Sequence, residues 1–260
     1  MARWGRRPGA VRLTRVCSLA AGCAAAATAV AACSSATPQQ LGYPSAAPTT
    51  VQTASLTADG RTQATLDVLT GTTALTIDVA DFGPGGSLLR VSTPAGQQAA
   101  RLSVSDPAGS ARPGENALVD LSAANASAVT VTLSSAVSWQ LDLDGGSTRT
   151  DVDLRGGQVT GIQFNAGSSV INLALPQPHA DVPVQMAGGA SEFLLSLPNG
   201  VPARVTAAGG ASEVLLEGQD HTGVAGGSVF TTPGWASGVT GFDINASAGA
   251  SQISVTARPS

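Results

Sequence analysis

The chain has 260 residues, of which 3% are aromatic, and carries 13 arginines, no lysine and 17 acidic residues. Five of the arginines precede Cys33, so the rest of the chain sets eight arginines against all 17 acids, a net charge near −9. This acidic balance excludes the basic footprint of a nucleic-acid-binding protein and opposes direct adsorption to anionic lipid headgroups.

Residues 1–32 have the pattern of a secretory signal peptide, a basic front followed by an alanine-rich apolar run from Val16 to Ala32. The run ends in Val30-Ala31-Ala32-Cys33, which resembles the lipobox of bacterial lipoproteins. The resemblance implies that Cys33 is the lipid attachment site and the first residue after cleavage. The alternatives are an ordinary signal peptide or a short transmembrane anchor with an incidental cysteine. The basic front consists of Arg3, Arg6, Arg7, Arg12 and Arg15.

Cleavage before Cys33 would leave a chain with a single cysteine, because the other two, Cys17 and Cys23, lie in the removed segment. A disulfide framework and a thiolate metal site are then impossible. Lipoproteins of this type carry more than one acyl chain, and several chains anchor a protein stably where one binds marginally. We therefore predict a lipid-anchored protein on the extracytoplasmic face of the cell membrane.

Two segments precede the strongest repeats. Residues 33–50 begin at the lipidated cysteine, lack periodicity and are rich in proline and small residues, which predicts a disordered tether. Residues 51–137 read as short β segments, of which the alternation of Leu75, Ile77 and Val79 is the clearest. This N-terminal β region is either a set of diverged early coils or a small β-sandwich packed on the downstream repeats.

Residues 138–257 repeat one pattern, in which a glycine followed by small hydroxylated residues introduces an alternating apolar strand. Gly167-Ser168-Ser169 precedes Ile171, Leu173 and Leu175, and Gly189-Ala190-Ser191 precedes Phe193, Leu195 and Leu197. Successive copies begin 17 to 22 residues apart, at glycines 146, 167, 189, 210, 227 and 249. Such a period is typical of the stacked coils of a solenoid.

One of these coils is too poor in apolar residues to fold alone. Three buried aliphatic side chains, at roughly 1.5 to 3 kcal/mol each, cannot offset about 1 to 2 kcal/mol of backbone entropy per residue over a whole coil. Stacked coils share a core and pair their strand edges. The sequence therefore predicts an all-β protein, a β-solenoid of the single-stranded β-helix type with glycine at its corners.

The run from Trp139-Gln140-Leu141 and Gly145-Gly146 through the Gly-Ser-Ser and Gly-Ala-Ser strands resembles the putative-adhesin, or "toast rack", β-solenoid domains of bacterial envelope proteins. The resemblance covers roughly residues 137–256. It implies the solenoid fold and a role in adhesion, and relatives in the envelope-stress response imply an accessory or sensor subunit as the alternative. It supplies no catalytic residue and no cofactor.

One set of acidic residues has the composition of a site. Asp142, Asp144, Asp151 and Asp153 are predicted on the outer face of two strands joined through Gly145-Gly146. Neighbouring carboxylates are the ligands that calcium prefers, but a solvated outer face compensated by nearby arginines is the alternative. The same four residues are the only plausible carboxylates for a polysaccharide-active enzyme. We predict no catalytic residue, metal or cofactor.

The other candidates for chemistry are weaker. Ser191 and Ser212 follow Gly-x but lack the closing glycine and the helix of a nucleophile elbow. His179 and His221 have no partner at a recognisable spacing, and Trp235 is interpreted as a lid on the last coils. The sequence favours an exported envelope lipoprotein with a non-catalytic solenoid that binds, adheres or scaffolds, its partner being an envelope protein or a glycan.

Overall fold

The computed structural model describes residues 51–105, 116–123 and 126–258. The predicted signal peptide, Cys33 and the whole predicted tether lie outside these residues. The described residues form nineteen strands: β1 (Gln52–Thr57), β2 (Gln63–Val68), β3 (Thr72–Ala80), β4 (Ser87–Thr93), β5 (Arg101–Ser105), β6 (Asn116–Ser122), β7 (Ala128–Ser134), β8 (Ser138–Leu143), β9 (Ser147–Asp153), β10 (Gln158–Phe164), β11 (Ser168–Ala174), β12 (Asp181–Met186), β13 (Ala190–Pro198), β14 (Ala203–Ala207), β15 (Ala211–Leu216), β16 (Gln219–Val224), β17 (Ser228–Thr231), β18 (Gly241–Ala246) and β19 (Ala250–Arg258). Across this part of the chain, no helix has the length and apolar character needed to span a membrane.

The strands form two sheets, and the central strands of each sheet pair in parallel. The ten-stranded sheet has the order β1-β4-β7-β3-β9-β11-β13-β19-β15-β16, and the nine-stranded sheet has the order β17-β14-β18-β12-β10-β8-β2-β6-β5. Antiparallel pairs occur only toward the sheet ends. Each central coil gives one strand to each sheet, so the predicted all-β solenoid is confirmed.

The inward side chains of the two sheets meet in one core. Leu66 and Ile162 of the nine-stranded sheet belong to the same apolar cluster as Ile77 and Ile171 of the ten-stranded sheet. The inward rows predicted from the alternation are confirmed, since their members are buried. These rows include Ile171, Leu173, Leu175, Phe193, Leu195, Leu197, Val214, Leu216, Ile253 and Val255.

Stacked glycines form one corner of the solenoid because neighbouring coils approach closely there. A Cβ on Gly71 would lie 2.7 Å from the carbonyl oxygen of Gly146, and a Cβ on Gly146 would lie 3.0 Å from that of Gly167. These carbonyls accept hydrogen bonds from the backbone N–H groups of Thr72 (3.0 Å) and Ser147 (3.2 Å). Gly71-Thr72-Thr73 is therefore a further copy of the repeat, in which threonine replaces serine.

The order of the coils in space differs from their order in the chain. The coil of β18 and β19 lies between the coil of β12 and β13 and the coil of β14 and β15. The predicted copy at Gly227-Ser228 is wrong, because the chain reverses after β15 and β17 pairs antiparallel with β14 in the nine-stranded sheet. The 17-residue step in the sequence period falls at this reversal.

The strands between residues 51 and 137 join the same two sheets. The coil of β2 and β3 pairs with the coil of β8 and β9, and the coil of β6 and β7 lies on its other side. At each end of the stack, the last coil pairs antiparallel with one added strand in each sheet. These pairs are β4 with β7 and β5 with β6 at one end, and β16 with β15 and β17 with β14 at the other. The two ends share this arrangement, which the sequence period does not reveal, and β1 extends the first end by a further antiparallel strand beside β4.

Candidate functional site

A groove of about 400 Å³ lies on the outer face of the ten-stranded sheet. It crosses five neighbouring strands, β3, β9, β11, β13 and β19. Because adjacent strands lie roughly 4.8 Å apart, the groove is about 19 Å long and runs perpendicular to the strands. Its lining comprises Asp78, Asp151, Val152, Asp153, Asn172, Leu173, Ala174, Leu194, Leu195, Ser196, Ser254 and Thr256.

Three carboxylates occupy one end of the groove. Asp78 of β3 and Asp153 of β9 are partners in the strand register, and Asp151 is the next outward residue on β9. The Nε of Arg149 donates to Asp151 over 2.7 Å, and the Nε of Arg155 donates to Asp153 over 2.7 Å. The arginines are not part of the lining, so the charged groups that line the groove are all acidic.

The three carboxylates differ in pKa because their partners differ. The hydrogen bonds from Arg155 lower the pKa of Asp153 despite its partial burial. Burial opposes ionisation of Asp151, but the hydrogen bonds from Arg149 and Asn172 outweigh it and lower its pKa. Burial and then the charge of Asp153 raise the pKa of Asp78. Asp78 is therefore the carboxylate in this groove whose negative charge is least compensated.

The centre and the far end of the groove have a different character. Ala174 of β11 and Leu194 of β13 are half-buried outward residues that provide an apolar floor. Ser196, Ser254 and Thr256 follow on β13 and β19 and place hydroxyl groups around the far end. The groove therefore grades from carboxylates through aliphatic groups to hydroxyls along its length.

The structure does not bring the four predicted carboxylates together. Asp142 belongs to β8 and Asp144 follows it, both in the nine-stranded sheet, whereas Asp151 and Asp153 belong to β9 in the ten-stranded sheet. The corner at Gly145-Gly146 carries the chain from one sheet to the other, so the two pairs lie on opposite outer faces. Among the described residues, no group of three or more histidine, cysteine or acidic side chains is placed to hold a metal ion.

Asp142 instead belongs to an acidic row on the nine-stranded sheet. Asp120 of β6, Asp67 of β2 and Asp142 of β8 are register partners on three adjacent strands. Burial and then the charges of Asp144, Asp120 and Asp142 raise the pKa of Asp67. The Oδ1 atom of Asp67 is buried and has no hydrogen-bond partner among the described residues. The row is a site of charge repulsion rather than a preformed cation site.

The remaining predicted residues lie apart from the groove. Ser191 and Ser212 are exposed at the glycine corner, and His179 is exposed in a loop. His221 stacks on Phe230 at the end of the ten-stranded sheet, with 4.7 Å between ring centroids. Trp235 is half-buried, and the Arg204 guanidinium lies 5.6 Å from the centre of its ring.

Sequence reasoning missed Asp78 and Asn172 as members of a site. The alternation of Leu75, Ile77 and Val79 was sufficient to place Asp78 on the outer face of its strand. The missing information was the register, because Asp78 and Asp153 become neighbours only when β3 pairs with β9 across a long stretch of chain.

Comparison with known proteins identifies the class of fold. No protein-family model matches the sequence, and no curated protein matches it either. A putative cell adhesion protein from Clostridium sporogenes has a similar solved structure, with a TM-score of 0.60 and 16% sequence identity over 80% of this chain and 99% of that chain. A putative adhesin from Bacteroides fragilis matches with a TM-score of 0.26 and 9% identity over 80% and 98% of the two chains, a similarity too low to support an argument. The resemblance to putative-adhesin domains is confirmed at the level of the fold.

Proposed function

We propose that this protein is exported, anchored through lipid on Cys33, and binds a partner at the cell envelope through the groove of the ten-stranded sheet without catalysing a reaction. The observation that carries the proposal is the groove itself. It spans five coils and grades from carboxylates to hydroxyls along its length. A graded surface of this length suits an extended ligand that makes many weak contacts.

Two of the three groove carboxylates, Asp151 and Asp153, are in a state that favours binding over catalysis, whereas the pKa of Asp78 is raised. A general acid or base works best when its pKa lies near the working pH. The pKa values of Asp151 and Asp153 move away from neutrality, because arginine hydrogen bonds hold both residues ionised. Both carboxylates are therefore better suited to act as fixed hydrogen-bond acceptors than as proton-transfer groups.

The solved structure with the similar fold supports the same proposal. That protein is described as a putative cell adhesion protein, and nearly its whole length aligns with this chain. An adhesive or scaffolding role for this chain is consistent with a solenoid presented outside the membrane on a proline-rich tether. The proposed partner is an envelope protein or a glycan.

Site-specific photo-crosslinking in intact cells tests the binding role. A photoreactive amino acid replaces Leu194 on the groove floor or, as the control, Gln185, which is exposed on the outer face of the nine-stranded sheet. We expect a discrete crosslinked species from position 194 and none from position 185. Equal labelling from both positions, or none from 194, would contradict the proposal.

A third labelled position, Val229, is exposed on the edge strand β17. Crosslinking confined to Val229 would favour an accessory or sensor subunit that meets its partner at the end of the stack.

Fractionation tests the anchor separately. Replacing Cys33 removes the thiol that would be acylated, so Cys33→Ala should release the protein into the medium or leave the precursor uncleaved. Ser34→Ala, which keeps the cysteine, should fractionate with membranes as the wild type does. Unchanged membrane association and mature size in Cys33→Ala would rule out lipid anchoring.

A further inference from the structure

The acidic end of the groove has an uncompensated negative charge. Among the described residues, no arginine forms an ion pair with Asp78, whereas Asp151 and Asp153 are paired with Arg149 and Arg155. Asp78 is half-buried and faces Asp153 across the β3–β9 register. A positive group placed here would be attracted by both carboxylates and would relieve the repulsion between them.

The neighbouring floor is apolar. Ala174 lies beside Asp153 in the register, one strand further along the groove. Leu194 lies one strand beyond, where it pairs with Asn172. An aliphatic chain that leaves the carboxylates would cross these residues within about 10 Å, the width of two strand spacings.

Hydrogen-bonding groups surround this path. Asn172 lines the groove and donates to Asp151 over 2.6 Å. Ser196 and Ser254 add hydroxyl groups that both donate and accept. Peptide groups present one donor and one acceptor per residue, so the wall complements an extended peptide backbone.

Given the proposed binding role of this groove, we propose that its ligand is an extended peptide segment of a partner protein that presents a lysine side chain. The lysine ammonium lies between Asp78 and Asp153, and its four-carbon stem lies over Ala174. The rest of the segment follows the groove toward Thr256. Beyond Ala174 the groove continues for two strand spacings, about 10 Å, which accommodates roughly three residues in an extended conformation.

Lysine fits this end better than an anionic or neutral group. An anionic ligand would be repelled by the unpaired charge of Asp78, because Arg149 and Arg155 pair with Asp151 and Asp153 and neither arginine lines the groove. A neutral polar group would gain hydrogen bonds but would leave the charge of Asp78 uncompensated. The compact ammonium offers three donors, which suffice to bridge two carboxylates on adjacent strands.

Fluorescence anisotropy with a matched peptide pair tests the proposal on the full-length protein. The probe is a seven-residue peptide with a central lysine flanked by alanine and leucine and a neutral dye, and the control is the same peptide acetylated on the lysine amine. We expect saturable binding of the lysine peptide and about tenfold or greater weakening on acetylation, because a charge-assisted hydrogen bond is lost. Equal affinity for both peptides, or no saturable binding of the lysine peptide, would overturn the proposal.

Two protein variants identify the contact. Asp78→Asn keeps the shape of the side chain and removes its charge, so it should weaken the lysine peptide about tenfold and leave the acetylated peptide unaffected. Asp120→Asn removes an acid from the opposite face and should change neither affinity. Unchanged binding to Asp78→Asn would also refute the assignment. If the lysine peptide does not bind while position 194 still crosslinks in cells, the binding role stands and only the ligand class is wrong.

Discussion

Val255 of β19 lies beside Leu195 of β13, although five other strands separate them in the chain. On its other side Val255 pairs with Leu216 of β15. The last strand of the chain therefore lies between two strands, β13 and β15, that both precede it in the sequence. In the ten-stranded sheet, β15 is connected to the rest of the stack through β19.

A charge in this last strand should release the whole end of the solenoid. Val255 is 1% exposed, so Val255→Asp buries an unpaired carboxylate and should cost about 3 kcal/mol or more. Hydrogen exchange should show that β14 to β18 lose protection together with β19, while β9 and β11 remain protected. Val229→Asp is the control, because Val229 is 54% exposed and its substitution should stay within about 0.5 kcal/mol. Loss of protection confined to β19 would contradict the interlocked arrangement.

The corner glycines reveal a second consequence of the spatial order. Each central coil has a corner glycine, and the residue just before it is alternately one with a side chain and a second glycine along the stack. The corner glycines, in spatial order, are Gly71, Gly146, Gly167, Gly189, Gly249 and Gly210. A Cβ on any of the second glycines would overlap the backbone of the preceding coil. The alternating residues, in spatial order, are Thr70, Gly145, Ala166, Gly188, Ala248 and Gly209.

We therefore predict that Gly188→Ala is strongly destabilising. Its Cβ would overlap the backbone of Ala166, and one of the two coils would have to move, at a cost of about 2 kcal/mol or more. Gly156→Ala is the matched control, since its Cβ would make only an ordinary contact, 3.9 Å from Val79. Chemical denaturation measures both free energies of unfolding. Similar values for the two variants would show that the corner is not tightly packed.

Much of the fold was predictable because it depends on local alternation. Apolar residues two apart identified the inward rows, and the near-regular spacing identified stacked coils. The spatial position of β19 was not predictable from spacing alone, because a sequence period gives the rise per coil and not which coils are neighbours. The sequence does contain one sign of this position. The alternation of glycine and non-glycine residues at the corner is broken in chain order, because Gly209 follows Gly188, and it is restored when the coil of Ala248 lies between them.

The site was less predictable than the fold for the same reason. Asp151 and Asp153 were singled out by their acidity, and both line the groove. Asp142 and Asp144 were grouped with them because they are near in sequence, but the corner between the strands separates the two pairs. Asp78 joins the groove because β3 pairs with β9, which is far away in the chain, and the local sequence does not indicate this pairing.

The acidic row on the nine-stranded sheet should make stability depend on pH. The pKa of Asp67 in the folded protein lies above its ordinary value of 3.8, so the ionised form costs stability at neutral pH. The cost disappears as the pH falls through the folded-state pKa and Asp67 takes up a proton. Asp67→Asn should therefore stabilise the protein at pH 7 by a few tenths of a kcal/mol, up to about 1 kcal/mol, because the side chain is partly exposed.

Urea denaturation between pH 7 and pH 4 measures this effect. The difference between Asp67→Asn and the wild type should be largest at pH 7 and should shrink on acidification. Asp220→Asn, at an exposed position in the edge strand β16, should follow the wild type throughout. A constant difference across the range would assign the effect to packing rather than to charge.

The two tryptophans of the described strands and loops should differ greatly in their contribution to stability. Trp139 is fully buried, and its Nε1 donates to the carbonyl of Ser134 over 3.0 Å, so Trp139→Ala should cost about 3 to 5 kcal/mol. Trp235 is half-buried and contacts the Arg204 guanidinium, so Trp235→Ala should cost about 0.5 to 1 kcal/mol. Arg204 also pairs with Asp243, which holds the guanidinium in place when the ring is removed. Thermal melts of both variants test the interpretation of Trp235 as a lid. If Trp235 sealed the core, its removal would cost several times more stability than the roughly 0.5 to 1 kcal/mol expected here, about 2 kcal/mol or more.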